Sequence, residues 1–250
     1  MGTYYARQMP KIYGQGIYTE SSTQKLPLGT KWVLADGREF VYSKQASTGG
    51  VTGPGYIAQA AVPDAYGSTV TIQTAAAIGD TTIYFTNGAE ATAANYYKEG
   101  YIIIEDDAGE GQCLKIKDHP VMVSAGTSSV NLYDAVRVAL TTDTTATLIK
   151  HPCDSVIVCP ANTPTGPVMG VSPITPTASY YFWLQTKGVA AVLVDNTTTL
   201  VVGLDVQAYG DVAGACQVVT DGEEIQLIGV CIDIGAQNEK ATVLLNIRGI

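Results

Sequence analysis

The sequence predicts an all-β fold of small barrels or sandwiches, with an extended N-terminal arm and at most one or two short helices. Short alternating runs of apolar and polar residues recur about every 8–12 residues, a spacing typical of strands in such folds. An Asp-Gly pair at 36–37 separates two of these runs, as in a tight hairpin. Tyrosine outnumbers phenylalanine by 15 to 3, and tyrosine suits half-buried strands because its hydroxyl needs a polar partner.

The first third of the chain predicts an arm, a hairpin and a linker. Residues 1–28 have no sustained hydrophobic period, so we expect an arm without a core of its own, ordered only by a partner. The hairpin is expected at 31–43, with a type I′ turn at Asp36 and Gly37. Residues 46–56 contain four glycines and a proline and predict a Gly-rich linker.

The middle of the chain predicts strands interrupted by one short helix. Residues 89–98 are rich in alanine and precede Gly100, a pattern that favours a helix ended by that glycine. Strands are predicted around it at 69–73, 82–85, 101–104, 112–117, 130–133 and 147–150.

The last third begins with a proline-rich segment. Residues 160–179 hold five prolines and predict an extended connector or an edge strand, and also a domain boundary. Further strands are predicted at 180–185, 189–194, 200–202, 225–232 and 242–247. The predicted organisation is therefore an arm (1–28), a β-rich domain (29–159) and a C-terminal β domain (160–250).

Composition limits the possible partners. The formal charge of −9 and the pI near 4.6 disfavour direct binding to nucleic acid, a polyanion. No apolar run approaches the roughly 18–20 residues of a membrane helix, and the polar start does not fit a signal peptide, so no membrane partner is expected. Only 15% of the residues are charged, which suits a surface packed among neighbours because burying a charge in an interface is costly.

An acidic cluster is the best candidate for a metal site. Glu105, Asp106, Asp107 and Glu110 stand close together, and a hard cation needs several oxygen ligands at one point. Their spacing differs from that of an EF-hand loop, however. A hairpin turn between the strands at 101–104 and 112–117 explains the acids and glycines without a metal, and we favour this interpretation.

A zinc site is a weaker possibility. The two histidines, His119 and His151, are conceivable ligands together with Cys113, Cys153 and Cys159. Zinc sites usually contain close cysteine pairs, whereas five residues separate Cys153 from Cys159. We therefore predict that all five cysteines, which include Cys216 and Cys231, are reduced thiols in small apolar slots.

No motif for catalysis or for a cofactor stands out. The chain lacks a G-x-S-x-G elbow, and the glycines at 49–55 lack the lysine and helix of a P-loop, so no cofactor is expected. The run Tyr180-Tyr181-Phe182-Trp183 is conceivable as a sugar-stacking platform. Alternation along a strand makes one of its faces core and the other an interface or a second core layer, which is our preferred interpretation.

The sequence contains three groups of segments with recognisable turn and strand signatures. The groups are 23–30 with 35–42, then 100–112 with 133–137, and finally 203–206, 228–231 and 241–249. These groups resemble structural proteins of tailed-bacteriophage particles. The last group resembles the end of head decoration (cement) proteins, where a strand returns through I-G-V and the chain closes with A-T-V-x-V-x-I-x-G.

The resemblance implies a non-enzymatic, often trimeric protein on the capsid surface, with the major capsid protein and its own copies as partners. It carries over no active-site residues, and the length of the chain implies an added domain at about 50–160. From composition we expect aromatic residues near the N-terminus to contact the capsid or a neighbouring subunit. These predicted interface residues are Tyr4, Tyr5, Tyr13, Tyr18 and Trp32.

Two other functions stay open at this stage. A tail, fibre or surface adhesin would bind a host glycan through Tyr180, Trp183 or other exposed aromatic residues. A small polysaccharide-degrading enzyme would need two carboxylates facing a cleft, which the sequence does not identify.

Overall fold

The computed structural model describes residues 14–219 and 225–247, and every regular element within them is a β-strand. The all-β prediction is therefore confirmed. In chain order the strands are β1 (Lys31–Val33), β2 (Glu39–Lys44), β3 (Ile57–Gln59), β4 (Val70–Thr74), β5 (Thr82–Thr86), β6 (Tyr101–Asp106), β7 (Cys113–Asp118), β8 (Thr127–Leu132), β9 (Thr145–Ile149), β10 (Ile157–Val158), β11 (Val168–Val171), β12 (Tyr181–Leu193), β13 (Asp205–Gln207), β14 (Gln217–Val218), β15 (Leu227–Asp233) and β16 (Lys240–Asn246).

The chain folds as two compact units. Unit 1 combines Met1–Ala61 with Pro152–Ile250, and unit 2 is the intervening Val62–His151. Unit 2 lies within the range 50–160 expected for an added domain. The division differs from the predicted boundary at 160, because the segment after that position belongs to the same unit as the N-terminal strands.

The proline-rich segment contributes an interior strand, not a boundary. All four residues of β11 are buried, and the strand pairs with β3 on one side and β12 on the other. Pro167 directly precedes β11 and Pro173 follows it, so the prolines flank the ladder and do not interrupt its hydrogen bonds.

Unit 2 is a closed antiparallel barrel with strand order β4-β5-β8-β7-β6-β9. The pairing of β4 with β9, which places Val70 opposite Ala146, closes the ring. Side chains alternate between core and solvent along each strand, as the predicted period of two requires. The barrel core includes Ile72, Ile83, Phe85, Ile102, Ile104, Leu114, Ile116, Val130 and Leu148.

Unit 1 is a ten-stranded sheet organised around β12. Its order is β10-β3-β11-β12-β16-β15-β13-β14. In addition, β2 pairs with both β12 and β1. The first half of β12 pairs with β2 as far as Lys187, and the second half pairs with β16 from Lys187 to Leu193. One strand of 13 residues therefore replaces the two separate runs predicted at 180–185 and 189–194.

The hairpin of β1 and β2 is confirmed, but its turn is not type I′. Only Gly37 of the Asp-Gly pair has a positive φ, of 83°. Its N–H donates to the Leu34 carbonyl, and the Leu34 N–H donates to the Arg38 carbonyl. This pattern is a type I turn followed by a left-handed glycine, the usual three-residue hairpin loop.

The helix predicted at 89–98 is wrong. Thr92 forms an isolated β-bridge with Met122, and turns follow at 94–99. Asn95 and Glu99 both have a φ of 63°, which interrupts a right-handed helix. Tyr97 is almost fully buried in the barrel core, and its hydroxyl donates to the Asp64 carboxylate over 2.7 Å. Packing of this tyrosine outweighs the weak helix preference of the neighbouring alanines.

The described part of the arm, residues 14–28, is held by the chain's own unit 1. Ser21 and Tyr181 exchange backbone hydrogen bonds of 3.0 and 2.8 Å. Ile17 and Leu26 are buried in one cluster with Trp183. The expectation that this stretch has no core and needs a partner is therefore wrong for residues 14–28, because apolar side chains are spaced along it.

Both faces of the aromatic run on β12 are core. Phe182 packs in one cluster with Val41 and Leu184, and Trp183 packs in another with Trp32. The Trp32 and Trp183 rings meet edge to face with centroids 5.2 Å apart. The sequence predicted either an interface or a second core layer for the other face of this run, and the structure shows the second core layer.

A glycine in the I-G-V motif permits close strand pairing. A Cβ atom on Gly229 would lie only 2.1 Å from the Leu244 carbonyl oxygen across the β15–β16 ladder. A side chain there would push the two strands apart, which explains the glycine at this position.

We expect Gly229→Ala to lower the free energy of unfolding by at least about 2 kcal/mol, because the new methyl group collides with backbone. Gly16→Ala is the matched control, since the nearest atom to its added Cβ is 3.9 Å away. Urea unfolding followed by tryptophan fluorescence measures both, and equal midpoints for the two variants would contradict the close-approach explanation.

Candidate functional site

A groove of about 320 Å³ on unit 1 is the best candidate for a binding site. It brings together the arm, the β1–β2 hairpin, the loop before β3, the end of β11, the middle of β12 and the start of β16. Its lining consists of Tyr18, Arg38, Pro54, Gly55, Val171, Ser172, Pro173, Gln185, Val189, Ala190, Ala191 and Lys240. Two of these residues are cations, and none of the described lining residues is a carboxylate.

Arg38 is positioned by its neighbours in the hairpin and the arm. Its Nε donates to the Asp36 carboxylate over 2.7 Å, and the guanidinium lies 5.9 Å from the centre of the Phe40 ring. Burial alone would lower the pKa of Arg38, but Asp36 and the side chain of Tyr18 outweigh it and raise the pKa. The guanidinium therefore stays charged, and its Nε is already committed to Asp36.

Lys240 supplies the second cation of the groove. Its Nζ lies 4.9 Å from the centre of the Tyr56 ring, and burial lowers its pKa. None of the three ion pairs within residues 14–219 and 225–247 involves Lys240. A partly desolvated ammonium without an ion-pair partner favours an incoming negative charge.

Gln185 binds the backbone along the groove. Its Nε2 donates to the carbonyl of Lys187 over 3.1 Å and to that of Val189 over 2.9 Å. Because the Gln185 side chain is buried, these bonds satisfy the Val189 carbonyl, which no neighbouring strand reaches on this edge, and add to the pairing of Lys187 with Glu39.

An exposed apolar face adjoins the groove. Val189, Leu244 and Val230 are direct register partners across β12, β16 and β15. Val189 and Leu244 are 52% and 47% exposed. The loop before β13 lies against β15 through the Gly203 N–H and the Cys231 carbonyl. We call Val189, Val230, Leu244, Leu204 and Ile232 the apolar face.

The acidic cluster forms the turn of the β6–β7 hairpin, as our preferred interpretation predicted. Glu105, Asp106, Asp107 and Glu110 are all exposed. The Gln112 side chain holds the tip by accepting from the Arg137 and Val138 N–H groups. The residues that the structure describes contain no group of three or more His, Cys, Asp or Glu arranged to hold a metal ion.

The histidines and most cysteines have structural roles. His119 is buried in the barrel, where its Nε2 accepts from the Tyr97 N–H over 2.9 Å, and burial lowers its pKa. Burial raises the pKa of Cys153 to about 11 and that of Cys159 to about 12. Buried thiols are confirmed for every cysteine except Cys113, which is exposed at the start of β7.

A buried carboxylate, Asp195, ties two loops of unit 1. Burial alone would raise its pKa, but hydrogen bonds from Thr197 and from the Val212 N–H outweigh burial and lower it. A Cβ on Gly210 would lie 2.4 Å from this carboxylate, so the glycine allows the loop to approach. With its oxygens occupied by these donors, Asp195 serves the fold.

The predicted interface residues occupy different environments. Tyr18 is 53% exposed and lines the groove, whereas Trp32 is 7% exposed and belongs to the core. Tyr4, Tyr5 and Tyr13 lie outside the described residues, so their predicted contact stays a prediction. Sequence reasoning did not find the cations of the groove, Arg38 and Lys240, because they lie 202 positions apart in the chain.

The described residues define an all-β protein in which the sequence of a barrel unit is inserted between the two sequence segments of a sheet unit. No protein-family model, curated protein or solved structure matches this chain. Within the part of the chain that the structure describes, no helix has the length and apolar character needed to cross a bilayer.

His151 makes the stability of unit 2 depend on pH. Burial and the nearby charge of Lys115 lower its pKa to about 4. An unfolded histidine takes up its proton near pH 6.5. The contribution of the neutral His151 ring to the free energy of unfolding is therefore present above that pH and is lost as the pH falls toward 4. Between pH 8 and pH 5 this loss amounts to about 2 kcal/mol.

We expect His151→Gln to reduce the fall in the free energy of unfolding by that amount, as measured by urea unfolding at both pH values. Part of the fall persists in the variant because burial also lowers the pKa of His119. Equal pH dependence in the wild type and the variant would show that the His151 ring is not desolvated.

Proposed function

We propose that this protein is a non-enzymatic structural component of a bacteriophage particle that decorates and stabilises the capsid shell. In this proposal it sits on the capsid surface and contacts the major capsid protein and neighbouring copies of itself, as a trimer. The observation that carries the proposal is the exposed apolar face beside the groove. A strand face with alternating large apolar side chains is suited to a protein partner.

The composition of the surface supports this reading of the apolar face. A chain with only 15% charged residues has few groups whose desolvation would oppose packing against a neighbour. Complete burial of an exposed Val or Leu side chain contributes about 1.5–3 kcal/mol, and about half of that is available here because these side chains are already half-buried. Several such residues on one face give useful affinity without a buried ion pair.

The segments that resemble decoration proteins are neighbours in space. The described residues of 203–206, 228–231 and 241–249 overlap β13, β15 and β16, which pair side by side in unit 1. Two of these strands contribute Leu244 and Val230 to the apolar face. The resemblance and the proposed contact surface therefore involve the same part of the molecule.

The proposed mechanism is mass action. A protein that binds the assembled shell, and not its dissociated parts, raises the stability of the shell by its binding free energy. A trimer that spans several capsid subunits converts modest individual contacts into avidity. The net charge of −9 suits the outer surface better than a position against packaged DNA.

The adhesin alternative lacks a supporting observation. Trp183, one of its two named stacking residues, is fully buried, and Tyr180 is half-buried. The groove walls offer cations and small apolar side chains, with no stacked pair of exposed rings. We therefore develop only the capsid proposal.

The test is co-sedimentation with empty shells of the phage that encodes the chain, after light scattering has established the oligomeric state. We expect a trimer that sediments with the shells, and at least a tenfold loss of bound protein for Leu244→Asp. Val33→Asp is the matched control, because Val33 is 60% exposed on β1 and lies outside the apolar face. A wild-type monomer that stays in the supernatant would contradict the proposal.

A further inference from the structure

The groove contains an unpaired strand edge. In antiparallel strands the N–H and C=O groups of alternate residues point to the same edge. The Thr186 carbonyl accepts from Ile247, and the Val194 N–H donates to Glu239. Even-numbered residues in the second half of β12 therefore face β16, and the odd-numbered residues face the groove.

The odd edge is only partly satisfied by the protein itself. At its two ends, the Lys187 carbonyl accepts from Gln185, and the Leu193 N–H donates to Gly55 over 2.8 Å. Gln185 also bonds the Val189 carbonyl. Among the described residues, the N–H groups of Val189 and Ala191 and the Ala191 carbonyl make no hydrogen bond toward the groove. Gln185 thus replaces part of a missing strand.

Charge in the groove selects the kind of strand that fits. Arg38 and Lys240 both line the cavity, and no described lining residue carries a negative charge. An extended segment places alternate side chains on one face, so one of its carboxylates can lie near these cations while its backbone follows β12. Hydrogen bonds to a charged group add specificity for an acidic residue.

We propose that the groove binds an extended, acidic peptide segment of another protein chain as an added strand on the odd edge of β12. The segment pairs with Val189 and Ala191, and its carboxylate lies between Arg38 and Lys240. Its aliphatic side chains cover Val189 and thereby extend the contact onto the apolar face. This inference does not depend on the particle to which the protein belongs.

The experiment is a titration of the full-length ¹⁵N-labelled protein, followed by the amide signals of Val189 and Ala191. The probe is a capped five-residue peptide with a central aspartate between valine and threonine residues. Two companion peptides carry a central lysine or N-methylated backbone amides, and free acetate reports binding of an anion alone. We expect saturable shifts of both amides with the aspartate peptide only.

Variants test the role of the charges. We expect Arg38→Ala and Lys240→Ala each to weaken binding of the aspartate peptide at least about fivefold. Lys187→Ala is the matched control, because Lys187 belongs to β12 but pairs with Glu39 outside the groove over 3.2 Å. Its affinity is expected to equal that of the wild type. Since these side chains are at least partly exposed, the variants are expected to fold.

Three results would overturn the proposal. The first is the absence of shifts at Val189 and Ala191 with about 5 mM aspartate peptide. The second is equal binding of the N-methylated peptide, which would exclude strand pairing. The third is an identical shift pattern with acetate, which would reduce the groove to a site for small anions. None of these results would decide the capsid proposal, which is tested with shells.

Discussion

The pairing of β12 with two successive partners, first β2 on one edge and then β16 on the other, is the constraint on which unit 1 depends. The strand leaves β2 and joins β16 at Lys187, where a bulge shifts the register between Gln185 and Lys187. Gly188 has a φ of 85°, and a Cβ there would lie 2.9 Å from the Arg38 Cγ. This glycine lets the hairpin and the strand meet at the point of exchange.

The change of partner from β2 to β16 also creates the groove. On the edge that β2 occupies, pairing ends at Lys187 with Glu39, and the next backbone contact comes at Leu193 through Gly55. The interval between them is the groove, bordered by Arg38 from the hairpin that the bulge accommodates. Fold and candidate function therefore share one cause, because a strand that extends beyond its first partner leaves the rest of that edge open.

Local signals in the sequence predicted much of the fold. The Asp-Gly pair gave the hairpin, alternation gave the barrel strands, and the glycines among the acids at 105–111 gave the β6–β7 turn. Each of these features depends on residues near one another in the chain. The error at 89–98 arose where the burial of one residue, Tyr97, outweighed local helix preference.

Features set by long-range contacts could not be predicted. The inclusion of β11 in unit 1 depends on pairing with β3, more than 100 residues earlier, and no local pattern encodes that. The groove likewise combines Arg38 with Lys240 through the register of β12 and β16. A sequence pattern shows that 189–194 is a strand, but it does not show which of its edges lacks a partner.

The central claim is that unit 1 contacts its partner through the open edge and outer face that β12 organises. Hydrogen–deuterium exchange, compared between free protein and protein bound to empty shells, tests it most directly. The account predicts slower exchange on binding for peptides covering 187–193, while the barrel strands β4 and β5 stay unchanged. Unchanged exchange at 187–193, with protection confined to the barrel, would contradict the account.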